Sequence, residues 1–489
     1  MRNVTKFVVS AIAAAALLVP TSTALAAPNG NGPGAGSPPA ATAPGAPGAS
    51  ATWTTGAKQG VGTATTAESK VWYTLSQGTL AEVYYPRVDV ANSRSLELIV
   101  TDGRSFADLE STDTTHEVQL LDSRALVYRQ VNTDKDGRYE IGKTYFTDPA
   151  RSTVLVNITL RSLDGGRYTV YAQYDPSLAN SGLHDSARTD RGALVAEDSS
   201  GADPVASALV GAERFAATSN GFAGVNDGYT DLAADFDLDN RYSSALDGNV
   251  VQTAKLTLHG SKRLSTTTLA LGFGATADEA TDSARASLRG GVLKEAAAYA
   301  KGWHRYLDSL DRAPRAVRGD RQLATQYSVA AMTLKAHEDK TYLGANIASL
   351  TVPWGEVQNA DEAGVGGYHL VWARDLYQVA TAQLAAGDVD AANRSLDYLF
   401  EVQQRPDGSF PQNTLLDGTP YWGGLQLDEV ALPIVLAWQL DRTDADTWTN
   451  HVKKAADFVS PVGRRPRRNG GRRRAATPPA PSPPRSPGS

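Results

Sequence analysis

Cysteine is absent from the 489 residues. That excludes a disulfide framework, a thiolate metal site and a thiol nucleophile. A chain of this length can hold together outside the cell without disulfides, because its core is large enough. Long apolar runs are scarce as well. The longest, Phe7 to Val19, is too short to cross a bilayer core of roughly 30 Å, so no membrane partner is expected. Excess positive charge is missing: 47 Lys and Arg face 53 Asp and Glu, for a net charge of −6. Such a balance argues against nucleic acid and suits a neutral substrate. His116, His184, His259, His304, His337, His369 and His451 form no pair at metal-ligand spacing.

What is present begins with Arg2 and Lys6, then the Phe7–Val19 run, then Ala24-Leu25-Ala26. A basic start, an apolar middle and a small-x-small site predict a secretory signal peptide over 1–27, and hence an extracellular protein. Residues 28–50 are Pro, Gly, Ala, Ser, Asn and Thr almost throughout. With no large apolar group to bury, they are expected to be a disordered leader.

From residue 51 to 274 short β-rich runs alternate with turn residues. Val71-Trp-Tyr-Thr-Leu, Leu80-Ala-Glu-Val-Tyr-Tyr, Leu96-Glu-Leu-Ile-Val and Val154-Leu-Val-Asn-Ile-Thr-Leu are the clearest. Asp102-Gly103, Asp136-Gly137 and Asp164-Gly165-Gly166 are hairpin signals between such runs. The pattern predicts a large antiparallel β-sandwich. The period then changes. From Ala275 to Leu310 apolar residues recur at helical spacing, and 275–316 is expected to be a helical linker. Further helices are predicted over Arg318–Ala336, Asp375–Ala386, Val389–Gln404, Gly423–Leu440 and Asp444–Val459, in a domain spanning 317–461.

Two loops in that domain carry chemistry. The first reads Gly366-Gly367-Tyr368-His369-Leu370-Val371-Trp372-Ala373-Arg374-Asp375. It sets flat apolar faces beside charged hydrogen-bond partners at a helix start. Sugars need that mixture, because their C–H faces stack on rings while their hydroxyls want directed partners. A core tryptophan and a helix-start aspartate explain the same residues equally well. The second runs from Asp417 through Tyr421-Trp422-Gly423 to Gln426, Asp428 and Glu429. Paired carboxylates invite an acid–base reading, but for at least one of them helix-start charge is the simpler account.

Together the loops resemble glycoside hydrolase family 15, the glucoamylases, glucodextranases and related trehalases. The resemblance covers about Thr52 to Val459. It implies a supersandwich-like β-sandwich followed by an (α/α)6 barrel, here truncated. It further implies that Trp372, Arg374 and Asp375 hold the non-reducing-end glucose with Tyr368, and that Trp422, Gln426 and Asp428 line the same subsites. Glu429 does not stand where the family keeps its acid. The implied activity is secreted and exo-acting, releasing β-D-glucose from α-glucan by inversion. Choice among α-1,4-glucan, α-1,6-dextran and trehalose stays open, with α-1,4 favoured by family frequency alone. A monomer without cofactor is expected.

Inversion needs a general acid and a general base on opposite faces of the scissile bond. The family's acid lies in a Trp-Glu-Glu motif that should come shortly after Val459, and its base lies far downstream. In the place of that motif stands Gly463 to Ser489, with eight arginines and no acidic residue. Removing those eight charges takes the net charge from −6 to −14, so the tail is foreign to the acidic body. It could be an ordinary disordered basic tail. The favoured reading is a shifted frame: permitted codons for Pro466 to Gly488, displaced by one base, spell Thr-Gln-Glu-Glu-Arg-Trp-Glu-Glu-Ala-Gly-Gly-Tyr. Residues 462–489 are therefore expected to be frameshifted and disordered, and both catalytic carboxylates to be missing. The rival is a catalytically dead sugar-binding or scaffold protein.

Calcium is a weaker expectation. Asn132 to Gly137 resembles the start of a calcium loop, but its twelfth position is Lys143, and a hairpin turn is favoured. Asp235 to Asn240 could ligate calcium, but is more simply a polar loop or an edge strand.

Overall fold

A computed structural model describes residues 41–198, 204–352, 355–357, 359–360 and 367–463, with side chains through Ser460. The expected signal peptide, most of the leader and nearly all of the basic tail lie outside the described residues.

Two antiparallel sheets make up the first half. One sets Gly60–Gly62, Trp72–Ser76, Thr79–Tyr84, Ser93–Thr101, Thr169–Pro176, Val250–Lys255 and Ala217–Phe222 side by side, with Ala107–Leu109 against Ser93–Thr101. The other runs from Ser244–Gly248 through Asp185–Asp190, Ala193–Asp198, Val205–Gly211, Leu264–Gly274, Thr153–Ser162, Tyr139–Thr147 and Ala125–Asp134 to Thr114–Asp122. Along Ser93–Thr101 the pleat sends Leu96, Leu98 and Val100 into the inter-sheet core, where they meet Ile141, Val156 and Leu271.

Asp136-Gly137 closes a hairpin, with Gly137 at a φ of 75° that an L side chain resists. Asp102-Gly103 does likewise, between Ser93–Thr101 and Ala107–Leu109. Asp164-Gly165-Gly166 does not. The strands before and after it belong to different sheets, so this turn carries the chain across the sandwich. The distinction depends on long-range pairing, which local turn chemistry does not encode.

The leader expectation also fails for its last ten residues. Ala43 N donates to Ser244 O at 2.7 Å, Thr42 bridges Ser244, and Ala43 is buried against Phe222 and Val250. Small residues without a core of their own can still complete an edge offered by the sandwich.

The stretch expected to be a linker is likewise built into the sandwich. It forms α1 (Ala277–Gly290) and α2 (Val292–Ser309), broken where Gly291 takes a φ of 92°. Thr276 caps α1 by accepting from Glu279 N. The buried face of α1 is Ala277, Ala280, Thr281, Ala284 and Ser287, small enough for close approach to the strand Leu264–Gly274. A Cβ on Gly272 would stand 2.4 Å from Ala280 O, so glycine is required there. In α2, Trp303 is fully buried and donates its indole N–H to Thr63 O at 3.1 Å.

The second half is helical: α3 (Arg321–Ala336), α4 (Ala373–Ala385), α5 (Val389–Tyr398, extended by a π turn to Gln403), α6 (Leu427–Gln439) and α7 (Lys453–Gly463). Asp320 caps α3, and Gly387 with Asp388 ends α4 and caps α5. Helix α4 packs on both α5 and α6. One core joins the two halves, because Trp53, Trp72 and Tyr84 of the sandwich cluster with Ile347, Val371 and Leu376 of the helical domain. Among the described residues no helix is long and apolar enough to cross a membrane.

Candidate functional site

Two segments distant in sequence are hung on one backbone. Val371 and Thr414 exchange N–H···O bonds of 2.9 and 3.0 Å, and buried Gln403 donates to Val371 O and Thr414 Oγ1 at 3.0 and 2.7 Å. Asn413 Oδ1 accepts from Trp422 N at 2.8 Å. These bonds bring both aromatic loops to the starts of α4 and α6.

The rings then meet edge to face. Trp372 lies 5.8 Å from Tyr368 and 5.8 Å from Trp422, and Tyr421 lies 5.7 Å from Trp422. Trp372 is 6% exposed, while Tyr368 is 40% exposed. The core account of Trp372 therefore describes its position.

Beside this wall, Arg374 Nη1 donates to Gln426 Oε1 and Asp428 Oδ2, each at 2.8 Å. Glu429 Oε2 accepts from Arg374 N at 2.7 Å, and its Oε1 lies 3.1 Å from Nη1. The two helix N-termini thus hold each other. The first turn of α4 has no intrahelical acceptors for its N–H groups, and a carboxylate from α6 supplies one. Asp375 lies 4.0 Å from Arg374 Nη2 and keeps an exposed flank, as do Arg374 and Asp428.

Charge states follow from these contacts. The hydrogen bond from Arg374 holds Asp428 below the usual carboxylate range. Burial pushes Asp375 up, against the opposing pull of Arg374. Burial also pushes Glu429 up to about 7, and His369, sealed beneath the loop against Tyr84, down to about 4. All seven residues singled out as substrate-binding therefore lie in one place: Tyr368, Trp372, Arg374, Asp375, Trp422, Gln426 and Asp428. Sequence reasoning missed what anchors them. Glu429 does not guard the start of its own helix; it caps α4, and no local signal distinguishes that use. Gln403 and Asn413 gave no signal at all.

The arrangement can grip a polyol. It offers guanidinium donors and carboxylate acceptors to solvent beside an aromatic face. It is poorly suited to acid–base work, because Asp428 is ion-paired and Glu429 is fully buried beneath Arg374. Elsewhere, Asp134 of the calcium-like stretch accepts from Arg138, and Lys143 is buried 2.5 Å from Glu110. Among the described residues, no group of three or more His, Asp or Glu side chains is arranged to hold a metal ion.

Comparison with known proteins decides the family. The description "Glucodextranase, domain N" matches residues 43–308, and "Glycosyl hydrolases family 15" matches 324–405, a span that includes Tyr368, Trp372, Arg374 and Asp375. The chain belongs to glycosyl hydrolase family 15. A glucoamylase of Clostridium sp. (strain G0005) is 41% identical over 423 residues, covering 85% of this chain and 58% of that protein. The crystal structure of a bacterial glucoamylase complexed with acarbose is 40% identical, with a TM-score of 0.80, over 86% of this chain and 61% of the other. The chain thus spans about three fifths of the length of these family 15 relatives.

Proposed function

We propose that this chain is the sugar-gripping part of a secreted, exo-acting α-glucan glucohydrolase that releases β-D-glucose from non-reducing ends by inversion. The observation that carries the reading is the clamp on Arg374 by Gln426, Asp428 and Glu429, set against the Tyr368–Trp372–Trp422 wall. Likeness to a bacterial glucoamylase crystallised with acarbose supports it. Arg374 donates to hydroxyls of the terminal glucose, Asp375 and Asp428 accept from them, and the rings cover its apolar face. Clamping Arg374 in advance lowers the ordering cost of binding. An α-1,4-glucan is the proposed substrate and a monomer the proposed state.

Inverting hydrolysis further requires an acid and a base roughly 6.5–9.5 Å apart, with the attacking water between base and sugar. We place the acid in the segment now read as Gly463 to Ser489, out of frame, so the chain with this tail binds sugar and does not turn over. The engaged state of Asp428 and Glu429 favours that over an acid recruited from within the clamp. It equally favours the second reading, a sugar-binding scaffold. Incubation of the purified protein with soluble starch should release no glucose above the blank, and the nucleotide sequence at the Gly463 codon should restore Trp-Glu-Glu in the neighbouring frame. Glucose release by the chain as written would contradict the proposal.

A further inference from the structure

A cavity of about 540 Å³ lies between the first sheet, the residues around Trp53, and Glu356 on the connection between α3 and α4. Ser95, Glu97, Gln173 and Asp175 form its floor. Pairing of Glu97 with Gln173 and of Ser95 with Asp175, two residues apart on each strand, puts all four on one face. The other face carries Leu96, Leu98 and Tyr174 into the core. A covered sheet face is ordinarily apolar, so four adjacent polar side chains need an explanation.

Glu97 accepts from Ser111 N and Gln173 from Tyr229 N, but two other residues of the lining, Asp175 and Asn249, are left incomplete. Asp175 is 8% exposed; its Oδ2 lies 3.5 Å from Arg94, and its Oδ1 has no hydrogen-bond partner. Asn249 is 3% exposed; its Nδ2 donates to Ala49 O at 3.0 Å, and its Oδ1 has none. Both residues line the cavity. Buried polar atoms left without partners are costly, and a ligand that supplies hydroxyls would satisfy them.

The lining narrows the ligand. Glu97, Asp175, Asp227 and Glu356 outnumber Arg94, which opposes an anion. The polar floor opposes a lipid, and no trio of described side chains is arranged for a metal ion. Burial raises the Asp175 carboxyl to about 7, so near neutrality it both donates and accepts, as a hydroxyl partner should. Tyr229, partly exposed, adds an apolar face, and the volume falls within the roughly 300–1,000 Å³ of small-molecule pockets. We propose that this cavity is a second sugar site, taking a short neutral oligosaccharide on the sandwich, apart from the Arg374 grip. That the sugar is an α-linked glucan rests on the proposed function; the existence of the site does not.

The test is calorimetric titration of the full chain with maltotetraose, comparing wild type, Arg374→Ala, Thr112→Trp and Tyr229→Ala. Thr112 is exposed at the cavity wall, so a tryptophan there can fill the space without entering the core. Thermal melting serves as the folding control. The proposal predicts that Arg374→Ala retains one binding event, and that adding Thr112→Trp or Tyr229→Ala weakens it at least tenfold. If Arg374→Ala binds no sugar, or its binding is unmoved by the cavity variants, the second site is overturned while the grip stands. If Arg374→Ala binds as well as wild type and only the cavity variants lose sugar, the cavity stands and the grip fails. Absence of binding in every protein overturns both.

Discussion

The sandwich and the helical domain handle polar and apolar surface in opposite ways. The sandwich encloses charge: Lys143 and Glu110 pair with essentially no exposure, and most of its aromatic residues are buried. The helical domain buries Glu338 and Glu429 but turns Arg374, Asp375 and Asp428 toward solvent at helix starts, and it leaves large apolar side chains bare. On α6, Leu427, Val435 and Trp438 are exposed, Trp438 to 75%, and Trp448 nearby is 54% exposed. A body packed around its own large core can brace a site, and a site needs polar groups still free to bind. The shared core of Trp53, Trp72 and Tyr84 with Val371 and Leu376 is where one region supports the other.

The largest expected effect separates grip from turnover. Restoring the neighbouring frame after Val462, with the sequence downstream of it, should raise glucose release from nothing measurable by about 10⁶-fold or more over the uncatalysed rate. A glucose assay on the re-framed protein checks this, and silence there would remove the frame argument.

Next comes the brace. Trp303→Ala deletes a fully buried ring at the junction of α2 and the sandwich. It should cost about 3–5 kcal/mol of stability in denaturant unfolding. Sugar affinity of the protein that remains folded should hardly change, since Trp303 lies in the sandwich core and not in the clamp. A matching loss of affinity would mean that packing around Trp303 is coupled to the clamp.

A smaller effect concerns proton binding. Glu429 in the clamp and Asp175 in the sandwich are each raised by burial to about 7 in the folded protein. The folded state therefore binds more protons than the unfolded chain across this range, and stability falls as pH rises from the ordinary carboxylate range to about 7. Around Glu429 the charge of Arg374 opposes the shift, while Asp428 and Asp375 reinforce it. Melting temperature should fall between pH 5 and pH 8, and Glu429→Gln or Asp175→Asn should each flatten that slope. A slope unchanged in both variants would place the titrating groups elsewhere.

The smallest effect tests the bare face of α6. Trp438→Ser should change stability by no more than about 0.5 kcal/mol, because the ring is mostly exposed. It should reduce self-association seen by light scattering if that face is adhesive. Unchanged scattering would show that it is not.

The sequence made the helical pattern legible because its signals are local. Gly387-Asp388 separates α4 from α5 as expected, and α3 ends at Ala336 as its spacing predicts. The aromatic and charged residues of the two loops were also visible, since their types are unusual together. Pairing was not. Asp164-Gly165-Gly166 looks like any hairpin turn, yet it joins two sheets. Residues 41–50 look disordered, yet they track an edge that only the folded sandwich provides. Glu429 stands beside Asp428 in the chain, and nothing local tells that one meets solvent while the other caps a helix that begins 56 residues earlier, at Ala373.

The central claim is that Arg374, held by Gln426, Asp428 and Glu429 beside the aromatic wall, grips a sugar. Titration of wild type and Arg374→Ala with acarbose, monitored by tryptophan fluorescence, tests it most directly. Loss of two or more charge-assisted hydrogen bonds should weaken binding on the order of 100-fold, with quenching of the Trp372–Trp422 pair lost in parallel. Equal affinity and equal quenching in the two proteins would contradict the account.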